Sequence, residues 1–236
     1  MTGRVLLAVL LGGIAAGLIM GVIQHVRLTP LILAAEVYEQ GGGHDHAAGA
    51  TETAPATETA TEAEEWAPAD GIERSLYTTT ASMLAGAGFA LVLAGLSFLA
   101  GIPLTAGNGA IWGICGFLAA SLAPAAGLPP ELPGMPAAEL GARQAWWLAT
   151  IAATGLGLYL IASRREAWAL VAALVLIALP HAVGAPLPAS HETAVPAGLA
   201  AQFVANSLAA GAIFWSLIGL FTGIALDRHG KGVAVP

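Results

Sequence analysis

Between Val5 and Ile23 the chain runs for roughly 19 residues without a charged side chain, close to the ~20 that an α-helix needs to cross a bilayer. A backbone inside hydrocarbon must satisfy its own hydrogen bonds, which leaves helices and closed barrels as the spanning structures. Further apolar stretches follow. The expected fold class is therefore all-α, a polytopic membrane protein with about six transmembrane helices. The expected spans are residues 4–27, 75–101, 106–124, 143–163, 166–184 and 198–226, in one membrane domain. Pro103 separates the second from the third. Pro124 and the Leu128-Pro129-Pro130-Glu131-Leu132-Pro133-Gly134 run end the third, and Ser163-Arg164-Arg165-Glu166 turns the fourth into the fifth. Only 10% of the residues are charged, against about 25% in soluble domains.

Arg4 before the first apolar run imitates a secretory signal. The run is longer than the ~7–15 residues of a signal core, so it reads as a retained transmembrane helix. Gly13, Gly17 and Gly21 recur every four positions and lay a flat stripe on one helix face, suited to close helix packing. With Cys115 the single cysteine, an internal disulfide is excluded. The few scattered basic residues give no nucleic-acid surface.

Lys and Arg placement sets the expected orientation. With both termini cytoplasmic, Arg4, Arg164, Arg165, Arg228 and Lys231 lie inside, and Arg27, Arg74 and Arg143 outside. Trp146 and Trp147 are then expected at the outer interface and Trp168 at the inner one. Most of the acids crowd between Glu36 and Glu73. Within that stretch residues 41–72 form an acidic, low-complexity outer loop, in which Ala-Thr-Glu-Thr-Ala at 50–54 recurs at 56–60. It lacks the apolar surface to fold and is expected to be disordered.

Imidazoles and carboxylates, the ligand types of divalent transition metals, cluster where the first span ends. His25 is placed near the outer interface. Pro30 is expected in the first turn of a new helix capped by Thr29. On that segment Glu36 and Glu39, three apart, share a face, as either a solvated helix end or two carboxylates of a site near the mouth. His44-Asp45-His46, on a glycine tether, reads as a metal-capture element or a solvated linker. In the outer halves of later spans stand His181, either a ligand or a hydrogen-bonding group in a helix bent by Pro180, and Gln202 with Asn206, either ligands or interhelical glue. Thr78, Ser82, Thr150 and Thr154 are expected to bond their own helix backbone. The inner halves are almost wholly apolar, with Asn108 and Cys115 the obvious exceptions. No nucleophile triad, phosphate-binding glycine loop or His-Glu-x-x-His is present, so nothing in the sequence supports an enzyme.

Several stretches together resemble the CbtA family of predicted cobalt transporter subunits. They are Thr29 to Glu39, Leu122 to Gly134, Ala142 to Trp147, Leu179 to Pro186, and the last span from Leu199 through Phe203, Ser207, Phe214 and Trp215. The resemblance implies an inner-membrane, multi-pass subunit for uptake of Co²⁺ as the transported ion, with no tightly bound cofactor. It also implies a partner, a small single-span CbtB-like subunit. Of the matching positions, Glu36, Glu39, Glu131, Arg143, Gln144 and His181 could touch an ion. The expected route gathers the metal on His44, Asp45 and His46, passes it to His25, Glu36 and Glu39, and then to a shallow site at His181, Gln202 and Asn206. A partner or a second copy of the chain would complete the inner half. The competing readings are a non-transporting accessory subunit and a membrane anchor holding haem between His25 and His181.

Overall fold

The computed structural model describes residues 2–42, 68–69 and 71–229, and all regular structure among them is helical. The elements are α1 (Thr2–Ile23), a π-helical turn (Gln24–Leu28), α2 (Thr29–Gly42), α3 (Ile72–Ala100), α4 (Gly109–Phe117), a second π-helical turn (Leu118–Leu122), α5 (Ala123–Ala125), α6 (Leu140–Ser163), α7 (Ala167–Val183) and α8 (Ala197–His229). Among the described residues, four helical rods are long and apolar enough to cross a membrane: Gly3–Tyr38, Ile72–Ala100, Leu140–Ser163 and Ala197–His229. Gly109–Ala125 and Ala167–Val183 are shorter apolar helices. At 1.5 Å per residue these two reach about 25 Å, slightly less than the ~30 Å hydrocarbon core.

Two antiparallel helix pairs form the core, and glycine brings each together. Cβ atoms added at Gly13 and Gly17 of α1 would fall on the backbone carbonyl oxygens of Gly86 and Ser82 in α3. The stripe ends at Gly21, whose absent Cβ leaves room for Thr79. In the second pair, Gly109 and Gly113 of α4 lie against the backbone of Gly219 and Trp215 in α8, and Gly223 against that of Thr105. Such contact is what associates helices where lipid is as apolar as the side chains. The two pairs join through α1 and α8 around Val9, Ala16, Leu93, Phe214 and Ile218, all buried. Trp215 stacks on Phe89 with ring centroids 4.7 Å apart.

A third antiparallel pair, α6 with α7, stands beside this core. Gly157 admits Ala173 and Ile177, and the hairpin reaches the core principally through the second π turn and α5. Trp146 is buried within it, its Nε1 donating to the Pro180 carbonyl at 3.1 Å. Trp146 is therefore an internal strut of the hairpin and not an interface anchor as expected, while Trp147 and Trp168 are exposed.

The expected break at Thr29 does not occur. Ile23 and Thr29 both keep right-handed helical dihedrals, and Gly3–Tyr38 is one continuous rod. Proline supplies no N–H, and its ring collides with the carbonyl four residues back. Widening the turn by one residue moves that carbonyl aside. Thr29 then donates both its N–H and, at 3.2 Å, its hydroxyl to Gln24 O, five residues back. Pro124 is handled the same way: Ala123 N–H returns to Leu118 O, again five residues back. Each π turn ends two residues before a proline.

The rod carries Ala35 beyond the π turn into a small cap with Leu132 and Val195, against which Ile32, Met135, Leu199 and Phe203 pack. At the opposite end Asp227 accepts from Ala106 N at 2.8 Å. There Asn108 closes its own loop, accepting from Thr105 N and donating to Pro103 O.

The glycine contacts make a contrast that thermal unfolding in detergent resolves. Gly13→Ala should cost about 1–3 kcal/mol, the range for forcing one extra carbon into a packed interface. Gly88→Ala, on the same helix pair but with nothing within 4 Å of the added carbon, should cost nothing. Equal effects of the two would show that close approach does not hold the core.

Candidate functional site

The first π turn aims two polar side chains at the start of α3. Ser75 Oγ donates to Gly71 O at 2.9 Å and lies 3.0 Å from His25 Nδ1. A hydroxyl has one hydrogen. With it committed to Gly71, Ser75 accepts from Nδ1–H, and the free lone pair of the imidazole is on Nε2. His25 is exposed, and its Nε2 has no hydrogen-bond partner among the described residues. Metal-binding histidines are held this way, the second ring nitrogen donating to an oxygen that fixes the tautomer. Two turns deeper, Ser82 Oγ lies 2.8 Å from Thr78 O and 2.7 Å from Gln24 Oε1, which accepts from the hydroxyl. The Ser82 hydroxyl thus ties the first π turn to α3 through Gln24.

Glu36 is ion-paired with Arg74, the residue before Ser75. Because α1, the π turn and α2 form one rod, Glu36 stands about 15 Å further along the axis than His25. The two cannot share one ion; they are successive levels of one polar face. Glu39 follows on the same helix, its side chain outside the described residues. His44, Asp45, His46 and most of the 41–72 loop also lie outside them.

His181 is half-buried against the Trp146 ring, centroids 5.7 Å apart. Asn206 donates its amide to the Gln202 backbone carbonyl at 2.8 Å, and Gln202 is exposed. Thr150 bonds the Trp146 carbonyl as expected. Thr154 does not follow the pattern: its hydroxyl, like that of Thr222, is buried without a hydrogen-bond partner among the described residues. No group of three or more His, Cys, Asp or Glu that could hold a metal exists among the described residues.

A second polar locus flanks the other π turn. A cleft of about 520 Å³ opens between that turn, the Pro-rich loop, α6 and α8; Ser121, Glu131, Arg143, Gln144, Trp147 and Ser207 are on its walls. Arg143 Nη2 donates to Glu131 Oε2 at 2.8 Å. Sequence reasoning gave Ser75 no role and missed the two Arg–Glu pairs. An arginine opening each of α3 and α6 near an acid was the available signal.

Comparison with family models matches residues 2–227 to a probable cobalt transporter subunit, CbtA. The chain belongs to the CbtA family. The match takes in both π turns, both Arg–Glu pairs and the cleft. It describes a transporter subunit rather than an enzyme, and a subunit implies partners. Comparison with curated proteins and with solved structures gave no match.

In this CbtA-family chain Arg143, Gln144 and Trp147 are positioned by the cap of α6. Glu139 accepts from Gly141 N at 2.7 Å and Ala142 N at 2.6 Å, occupying the N-cap that shorter polar residues usually fill. The Gly141 and Ala142 N–H groups favour the carboxylate and hold its pKa below the ordinary 4.5. A depressed folded pKa adds stability above the unfolded value and loses it as pH falls through the folded one. Wild type should therefore unfold at a higher temperature than Glu139→Ala at pH 7. The gap should narrow below about pH 4.5 and close at lower pH. A gap independent of pH would exclude the charged cap.

Proposed function

We propose that this chain takes up Co²⁺ through the membrane, receiving it first at the Glu36–Arg74 level and then at His25. The observation that carries the reading is the His25–Ser75–Gly71 relay. It leaves the second ring nitrogen of an exposed His25 without a hydrogen-bond partner among the described residues. Imidazole with oxygen donors suits Co²⁺ among other borderline divalent ions. At the outer level the arriving cation competes with Arg74 for the Glu36 carboxylate.

The orientation that goes with this has both termini in the cytoplasm and the Glu36 end outside the inner membrane. The His44-Asp45-His46 loop is then a collector, and its acids raise the local cation concentration. A membrane potential, inside negative, favours entry of a dication by roughly 4.6 kcal/mol per 100 mV. The inner half of the bundle, apolar but for a few groups such as Ser97, Asn108, Cys115 and Thr222, supports a route completed by a partner such as a single-span CbtB-like subunit.

Uptake of Co²⁺ into sealed vesicles carrying the full chain, with and without the partner, tests the reading. His25→Ala should reduce uptake at sub-saturating Co²⁺ by about tenfold or more. Ser75→Ala, which only frees the imidazole, should fall in the ~10–100-fold range known for ligand-orienting partners or just below it. His181→Ala, in the α6–α7 hairpin against Trp146, should change little. Unaltered uptake in both His25→Ala and Ser75→Ala would refute the route, and wild-type vesicles that never accumulate Co²⁺, even with the partner, would leave an accessory role.

A further inference from the structure

The metal route proposed above does not use the cleft at the second π turn. Its rim holds Glu131 and Arg143, joined by one contact, with side chains 23% and 30% exposed. The other carboxylate oxygen and the remaining guanidinium N–H groups engage no other described residue. The walls below are largely apolar, with Leu128, Leu140, Trp147 and Leu208 among them. Ser207 and Leu208 lie ten or more residues into α8, so the cleft descends about 15 Å from the polar end. Leu140 and Trp147 on these walls are exposed, so the cleft opens onto the apolar outer face of the hairpin, where a membrane protein meets lipid.

Charge decides what such a rim takes. A bare dication meets the guanidinium as well as the carboxylate, and an anion meets both in turn. A ligand that carries both signs has each complemented without breaking the pair. We propose that the cleft binds a zwitterionic phospholipid with a primary ammonium head. Its phosphate takes the spare N–H groups of Arg143, beside the Gln144 amide, and its ammonium donates to the free oxygen of Glu131. The acyl chains run down past Leu140 and Leu208. A quaternary ammonium head cannot make the Glu131 bond, having no N–H to donate.

Native mass spectrometry of the delipidated full chain provides the test. It is titrated with phosphatidylethanolamine, phosphatidylcholine and phosphatidylglycerol of identical acyl chains, and separately with glycerophosphoethanolamine. The expected result is about tenfold tighter binding of phosphatidylethanolamine than of the other two, the equivalent of one charge-assisted hydrogen bond. Glu131→Gln should remove that preference, and Arg143→Gln should weaken ethanolamine and choline lipids alike. Leu208→Trp keeps the ion pair but fills the cleft, so it should lose lipid binding even if Glu131→Gln does not fold. Equal binding of the three lipids by wild type overturns the proposal, as does a preference that survives Leu208→Trp. Glycerophosphoethanolamine binding as tightly as the lipid would assign the site to a soluble zwitterion and overturn the lipid reading.

Discussion

Everything in this molecule depends on backbone meeting backbone where glycine lets it. In lipid there is no hydrophobic gain from pressing two apolar helices together, so association rests on close packing. Gly13 and Gly17 against α3, and Gly109 and Gly113 against α8, bring the helices closer than any side chain allows. This closeness fixes the register of α1 on α3, and the register in turn delivers Ser75 to His25, Ser82 to Gln24 and Arg74 to Glu36. The polar cluster at this end is thus a consequence of glycines lying one to several turns below it.

The second constraint is proline within a helix that must not break. A break at Pro30 would expose unpaired backbone near the bilayer and let α2 swing free. The π turn keeps the rod continuous and carries Glu36 well above His25. The same device before Pro124 puts Ser121 where it accepts from Trp215 Nε1 at 3.2 Å, tying the cleft wall to the core. Both candidate loci of this protein sit beside a widened turn, where π-bulges are often found at functional sites.

The helical class, the apolar stretches and the glycine stripe of α1 were legible in the sequence because each is a local pattern. As helices, α6 (Leu140–Ser163) and α7 (Ala167–Val183) begin and end within a few residues of the apolar stretches 143–163 and 166–184. Pro30 was misread because a proline that starts a helix and one absorbed by a π turn look alike in sequence. The difference is one residue of winding, invisible to a 3.6-residue period. Trp146 was misplaced because its partner, the Pro180 carbonyl, lies 34 residues away. His25 and Glu36 were both visible as candidates. That they occupy two levels and not one followed only from the continuity of the rod, and the role of Ser75 only from the register of α3.

The central claim is that His25, oriented by Ser75, ligates the transported metal. X-ray absorption at the cobalt edge, on the full chain loaded with one equivalent of Co²⁺, addresses it most directly. A variant lacking residues 43–67 removes the loop histidines from the comparison. The account predicts an imidazole scattering signature in wild type and in the loop deletion, lost when His25→Ala is added to the deletion. A spectrum of the fully hydrated ion in wild type, or an imidazole signature that persists after both changes, would contradict it.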